Sequence, residues 1–302
     1  MNTQRFTLAL LAVLTLSGCL RMDSSLFNPT SDIEAYAFNN TEPMDWWDFD
    51  YQPDYLIEDS MVRLVPLASQ APDESTPTTI YGVYIGDPAR IATDTVILYL
   101  HGNGGYLDSY WHRMALMVHL GGKHRFGMLA VDYRGYGLSE GSPTEAGLYA
   151  DAQAGIEWLD GMGLTGDRLL LYGYSMGTAP ATELAANPRT LRAQWLALEA
   201  PFASAEVMGQ DGTGLALPGS YFTDLEIDNA EEIKKVDQPF FWIHGTEDDF
   251  LDYENHGEVV WKNYRGARGV DIRVSGADHG DCIGVYGPEQ FNAELLKFIL
   301  NQ

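Results

Sequence analysis

Gly173-Tyr174-Ser175-Met176-Gly177 is the stretch on which the reading of this chain turns. It has the form G-x-S-x-G. The apolar run Leu169-Leu170-Leu171-Tyr172 leads into it, and a small-residue helical run from Thr178 to Ala186 leads out. A strand, a sharp turn and a helix in that order put the serine where a nucleophile elbow puts one. A serine held in such a strained turn needs neighbours without Cβ atoms, so that strand and helix can close on one another. Its hydroxyl then stands above the sheet, with a helix N-terminus behind it that favours negative charge. The chain has 31 Gly, so the pentapeptide alone is a moderate signal and a plain glycine turn is the competing reading. The loops that accompany it decide between the two.

The first is His101-Gly102-Asn103-Gly104-Gly105, after the apolar run Thr95 to Leu100. A glycine-rich turn at a strand end exposes backbone N–H groups, and one of these can join the N–H of the residue after a nucleophile to hold a developing oxyanion. Those donors are assigned to Asn103 and Met176. His101 is read as ordering the loop, not as a base. The second is His244-Gly245-Thr246-Glu247-Asp248, after Pro239 to Ile243. A carboxylate there can orient an imidazole. Asp248 is the choice, with Asp249, Asp252 and Glu199 as rivals. The third is His279, in the small-residue loop Gly276 to Asp281 after the short strand Val270 to Val274. A histidine in such a loop is free to point into a cleft.

Ser175, Asp248 and His279 follow the Ser…Asp/Glu…His chain order of α/β-hydrolases. From about Val62 to Leu300 the chain resembles that family. His101 to Gly105, Asp132 to Gly137, Gly173 to Gly177, Glu199 to Phe202 and His244 to Asp248 match, in order, the H-G-N-x-G, D-Y-R-G-Y-G, G-Y-S-M-G, E-x-P-F and H-G-T-x-D hallmarks of one branch. That branch contains membrane-associated lipases, protein depalmitoylases and serine-aminopeptidase-like relatives. One departure is Leu251-Asp252, where such proteins often carry an apolar residue and Pro. The resemblance implies an α/β-hydrolase fold over residues 61–302: a mostly parallel central sheet, helices on both faces and a small cap. It also implies a serine hydrolase cleaving carboxylic esters or thioesters of acyl or lipid-like substrates through an acyl-enzyme. A serine-aminopeptidase-like activity and a non-catalytic surface lipoprotein on the same scaffold are the alternatives. No metal or organic cofactor is indicated.

At 302 residues with 45% hydrophobic content, one catalytic domain with a large core is expected. Unbroken apolar runs fit strands in a sheet covered on both faces. Ser142-Pro143-Thr144-Glu145 reads as a capping box with Pro at the first helical position. Leu148, Ala152, Ile156 and Leu159 then share a helical face. Residues 203–235, carrying Gly209, Gly212, Gly214, Pro218 and Gly219, read as a small glycine-rich cap. An acyl pocket is expected beneath it, lined by Leu215, Leu217, Tyr221 and Phe222, or else those four are plain core.

Residues 1–18 read as a signal peptide: Arg5, then an apolar run from Phe6 to Leu16 that is short for a bilayer span. Leu16-Ser17-Gly18-Cys19 resembles a bacterial lipobox, which implies lipid on Cys19, a membrane tether and a cell-envelope address, the outer membrane if the host is Gram-negative. Of the 2 Cys this leaves Cys282 without a disulfide partner, read as a small buried residue near the His279 loop. The net charge of −25 argues against nucleic-acid binding and predicts repulsion from anionic headgroups away from the tether. Residues 19–60 form an acidic arm that nevertheless holds Tyr36, Phe38, Trp46, Trp47, Phe49, Tyr51 and Tyr55. A pure spacer has no need of so many aromatics, and the arm is expected to pack on the domain.

Overall fold

The computed structural model describes residue 23 and residues 26–38, 55–122, 125–214 and 217–302. Its strands are β1 (Val62–Ser69), β2 (Thr78–Ile85), β3 (Thr95–Leu100), β4 (Phe126–Asp132), β5 (Leu169–Tyr174), β6 (Trp195–Glu199), β7 (Phe240–Gly245) and β8 (Gly269–Val274). The α-helices among the described residues are α1 (Trp111–Val118), α2 (Glu145–Gly161), α3 (Thr178–Ala186), α4 (Ala205–Thr213), α5 (Asn229–Glu232), α6 (Gly257–Asn263), α7 (Cys282–Tyr286) and α8 (Pro288–Leu300).

The strands form one 8-stranded sheet in the order β1-β2-β4-β3-β5-β6-β7-β8. Pairs β1–β2 and β2–β4 are antiparallel, and every pair from β4–β3 onward is parallel. Alternate residues of β3 to β7 feed opposite layers, which is why these inner strands read as continuous apolar runs. Along β3, Val96, Leu98 and Leu100 join a core with Leu148 and Ile156 of α2 and Leu184 of α3. Ile97 and Tyr99 join the opposite core with Trp111 and Met114 of α1 and Phe291 and Phe298 of α8. The chain leaves β3 toward one edge of the sheet and leaves β5 toward the other. Such a switch point opens a crevice at the carboxyl ends of the strands. The loop of His101 to Gly105 and the Ser175 turn flank that crevice.

Two details differ from the sequence reading. Helix α2 is capped by Thr144, whose hydroxyl accepts from Gly147 N (3.0 Å), and not by Ser142. Thr144 is itself extended (φ −145°, ψ 159°), so the helix begins after it and Pro143 lies ahead of the first turn. The Glu145 carboxylate does not fold back on the cap; it accepts from Glu226 N (2.8 Å) and Tyr149 Oη (3.3 Å). In the 203–235 segment, Phe222 is buried core, Tyr221 is half exposed, and Leu215 lies outside the described residues. Of the three described residues among those proposed to line an acyl pocket, Leu217 borders a groove and Tyr221 and Phe222 do not.

The described parts of the arm lie on the domain. Tyr36 Oη donates to Asp132 Oδ2 (2.7 Å), the Ala37 and Phe38 amides donate to Asp108, and Phe38 stacks near Trp111 (4.8 Å). Tyr55 Oη donates to Glu289 (3.1 Å). Cys19, Trp46 and Trp47 lie outside the described residues. No helix among the described residues is long and apolar enough to cross a membrane.

The closeness of strand and helix around Ser175 can be tested. A Cβ on Gly173 would fall 2.5 Å from the Gly177 carbonyl oxygen, and one on Gly177 would collide with the Leu100 carbonyl. Backbone cannot rotate aside as a side chain does. Gly177→Ala is therefore expected to lose about 3 kcal/mol or more in urea unfolding, the upper end for overpacking. A loss under about 0.5 kcal/mol, the usual surface value, would contradict this packing.

Candidate active site

Ser175 terminates β5 with φ +51°, a left-handed conformation for a residue with a side chain. The turn is anchored below: Thr178 Oγ1 donates to the Ser175 carbonyl oxygen at 2.6 Å as α3 begins. Strain of this kind persists only where surrounding packing enforces it. The close glycine contacts supply that enforcement, and Gly102 adds to it, since a Cβ there would lie 3.2 Å from the Ser175 Cβ.

Ser175 Oγ is 2.9 Å from His279 Nε2, and His279 Nδ1 is 2.8 Å from Asp248 Oδ2. A proton on Nδ1, facing the carboxylate, leaves Nε2 as the acceptor for the serine hydroxyl. His279 is partly open to solvent, flanked by Tyr174 (ring centroids 5.6 Å apart) and Phe250 (5.1 Å). The structure thus brings together the three residues that sequence spacing singled out from separate loops.

Asp248 is buried and well supplied with donors. Its Oδ1 accepts from the Phe250 (3.0 Å) and Leu251 (2.7 Å) amides. Its Oδ2 accepts from His279 and from His244 Nε2 (3.0 Å). The other neighbour of His244 Nε2 is the Leu251 carbonyl oxygen (3.2 Å). Both are acceptors, so that nitrogen carries the proton. Burial pushes the Asp248 carboxyl up, but hydrogen bonds from His244 and His279 outweigh it and hold the pKa below the usual carboxylate range.

The rival acids are engaged elsewhere or point to solvent. Asp249 and Asp252 are exposed. Glu199 is buried between Tyr172 Oη (2.6 Å) and Arg113 Nη1 (2.5 Å). Arg113, which the sequence reading did not single out, reaches on to the Gly280 carbonyl oxygen (2.7 Å) and lies over the Tyr174 ring. It ties the end of β6 to the loop that carries His279. His101 is buried against Tyr133 and Tyr110, with Nδ1 2.8 Å from the Gly102 carbonyl oxygen and Nε2 3.2 Å from Asp132. Cys282 is buried, and burial pushes its thiol well up.

Asn103 and Met176 line the same small pocket as Ser175, a space of about 20 Å³. The Asn103 side chain accepts from Asn28 N (2.6 Å) and Tyr136 Oη (3.2 Å), and Tyr110 Oη donates to the Gly104 carbonyl oxygen (2.9 Å). The glycine loop is therefore fixed from outside. Alongside lies a groove of about 1130 Å³. Leu26, Met208 and Phe250 border both spaces. The groove combines Leu217 and Leu225 with the carboxylates Asp211, Asp249 and Asp252. Among the described residues no three His, Cys, Asp or Glu side chains converge as a metal site.

The model of the α/β hydrolase fold family matches residues 95–214. Human alpha/beta hydrolase domain-containing protein 17B is 32% identical over 213 residues, a match covering 67% of this chain and 65% of the human protein. Mouse alpha/beta hydrolase domain-containing protein 17C is 32% identical over 214 residues, covering 68% of this chain and 60% of the mouse protein. The chain belongs to the α/β-hydrolase superfamily. Like other α/β-hydrolases it superposes on solved members: a Pyrococcus furiosus esterase with a TM-score of 0.66 at 17% identity, covering 91% of this chain and 97% of the esterase. A Vibrio vulnificus alpha-beta hydrolase gives 0.60 at 22% identity, covering 81% and 84% respectively. These solved structures share the fold. The α/β-hydrolase spans less than two thirds of the length of its human and mouse relatives.

The electrostatics of Asp248 predict a pH signature. A carboxyl whose folded pKa is depressed contributes stability that is complete above its unfolded pKa of about 3.9 and drains away as pH falls toward the folded value. Carbon NMR of labelled aspartates should find Asp248 still ionised at a pH where exposed aspartates are half protonated. In His244→Phe its titration should move upward. An Asp248 that titrates with the exposed carboxylates in the native protein would contradict the hydrogen bonding described here.

Proposed function

We propose that this protein is a serine hydrolase that cleaves carboxylic esters or thioesters of acyl substrates through an acyl-enzyme. The observation that carries the reading is the run of contacts from Ser175 Oγ to His279 Nε2 (2.9 Å) and from His279 Nδ1 to Asp248 Oδ2 (2.8 Å), beside a groove of mixed apolar and acidic lining. Ser175 attacks the carbonyl carbon while His279 takes the hydroxyl proton. His279 then returns that proton to the leaving oxygen or sulfur, and a water repeats the sequence to free the acid. Asp248 fixes the imidazole tautomer and stabilises the imidazolium. Asn103 and Met176 backbone N–H groups hold the oxyanion, a contribution worth about 2.7–4 kcal/mol for each donor in comparable sites. The apolar side chains of the groove suit an acyl chain.

The esterase among the structural neighbours and the motif set beginning at His101 support ester chemistry. The carboxylates of the groove favour a second reading, a peptidase that holds a free amino terminus. Amino-acid anilides and p-nitrophenyl esters of rising chain length distinguish the two. Turnover of esters above all anilides is expected; the reverse order would favour the peptidase.

The lipobox-like Leu16-Ser17-Gly18-Cys19 supports a lipid tether at Cys19 and a cell-envelope address. Expressed in a bacterial host, the full chain should enter the detergent phase on Triton X-114 partition, and Cys19→Ser should remain aqueous. Equal partition of the two would remove the tether from the reading.

Ser175→Ala is expected to abolish ester turnover, and Asp248→Asn to lower kcat about 10⁴-fold, as loss of a triad acid does elsewhere. If Asp249→Asn is crippled and Asp248→Asn is not, the acid is misassigned.

A further inference from the structure

The space at Ser175 is about 20 Å³, room for roughly a single water, while the groove beside it is about 1130 Å³. An acyl chain lying in the groove with its carbonyl at Ser175 must cross between the two. Leu26, Met208 and Phe250 border both spaces and therefore form the neck. They are not equivalent. Phe250 is 59% exposed, a surface side chain and not an enclosed wall. Met208 is an unbranched thioether that adapts its shape. Leu26 is 5% exposed and belongs to no helix or strand.

Anchors on either side of the neck hold Leu26 in position. On the cap side, Asp23 Oδ1 accepts from Thr223 Oγ1 (2.6 Å) and Asp224 N (2.8 Å). On the glycine-loop side, Asn28 N donates to Asn103 Oδ1 (2.6 Å), and Pro29 forms a β-bridge with Gly105. The Thr30 carbonyl oxygen accepts from Gly137 N (2.8 Å). These contacts fix Asp23 at the cap and residues 28–30 at the loop proposed to supply an oxyanion donor, and Leu26 borders the space at Ser175. The bonds to Asn103 and Gly105 also make this stretch part of what fixes that loop.

We propose that Leu26, contributed by the N-terminal arm, is a specificity-determining residue that sets the width of the passage from the groove to Ser175 and hence the acyl chains accepted. The assignment rests on the reading of Ser175 as the nucleophile. It makes Leu26, held by the contacts of residues 28–30, part of the wall of the substrate site and not of a spacer ahead of the domain. A narrower neck rejects long chains at the reacting position while leaving short ones room; a wider neck relaxes that discrimination.

The test uses the full chain and two fluorophosphonates, one with a methyl substituent and one with a long alkyl chain. Labelling rates of residue 175 are followed by mass spectrometry for the wild type, Leu26→Ala and Leu26→Phe. The quantity read is the ratio of the long-chain to the short-chain rate in one sample, in which any misfolded fraction cancels. Removing or adding a few buried carbons in such a pocket shifts selectivity by roughly tenfold or more. The ratio is expected to rise about tenfold in Leu26→Ala and to fall about tenfold in Leu26→Phe. Ratios within twofold of wild type in both variants, with Ser175 labelled throughout, would overturn the assignment of Leu26 alone. Failure of both reagents to label Ser175 in the wild type would overturn the nucleophile reading, and the assignment with it.

Discussion

The turn at Ser175 is the constraint on which the rest of the site depends. A serine at φ +51° is unfavourable in isolation, and the fold enforces it by crowding. β5 and α3 meet so closely that Gly173 and Gly177 leave no room for a Cβ, and a Cβ on Gly102 of the neighbouring loop would lie 3.2 Å from the Ser175 Cβ. The crowding follows from the topology. β3 and β5 are adjacent, with their helices on opposite faces of the sheet, so their end loops converge where the crevice opens. The serine hydroxyl is delivered to that crevice by backbone packing and not by any freedom of its own.

Charge is arranged to match. Asp248 would be costly as a buried anion, yet it gathers two backbone amides and two imidazoles. His279 can then keep one nitrogen toward the carboxylate and the other toward Ser175. A second buried pair, Arg113 with Glu199, sits below and reaches the His279 loop through the Gly280 carbonyl oxygen. Removing one partner of such a pair leaves an uncompensated charge, so the pair specifies where that loop lies more than it adds stability.

Much of this was legible in the chain because the signals are local. Leu169 to Tyr172 and Thr95 to Leu100 are apolar without interruption, as strands covered on both faces must be, and the structure extends or matches them by a residue or two. Ser175, Asp248 and His279 each follow such a run within a small-residue loop, so their convergence could be anticipated from chain order. What escaped depends on partners distant in sequence. Nothing near Arg113 announces Glu199 or Gly280. His244 stood in a recognised motif, but its bond to Asp248 needs the loop to turn back on the end of β7. The cap of α2 is Thr144 and not Ser142, and Glu145 bonds the distant Glu226 amide, a partner the local sequence does not announce. Of the residues expected to line an acyl pocket, Leu217 does border the groove and Phe222 is plain core, but Leu26 and Phe250 also border it and were not singled out. Leu26 comes from the arm, more than 140 residues before Ser175, and composition carries no trace of that neighbour.

The proposed chemistry passes through a covalent bond to one oxygen, Ser175 Oγ. Rapid mixing with a p-nitrophenyl ester, acid quenching and peptide mass spectrometry would measure it directly. A burst of nitrophenolate stoichiometric with protein, accompanied by an acyl adduct on the Ser175 peptide, is the predicted result. Ester turnover with the adduct on another residue, or with no adduct on Ser175 under conditions that trap acyl-enzymes, would contradict it.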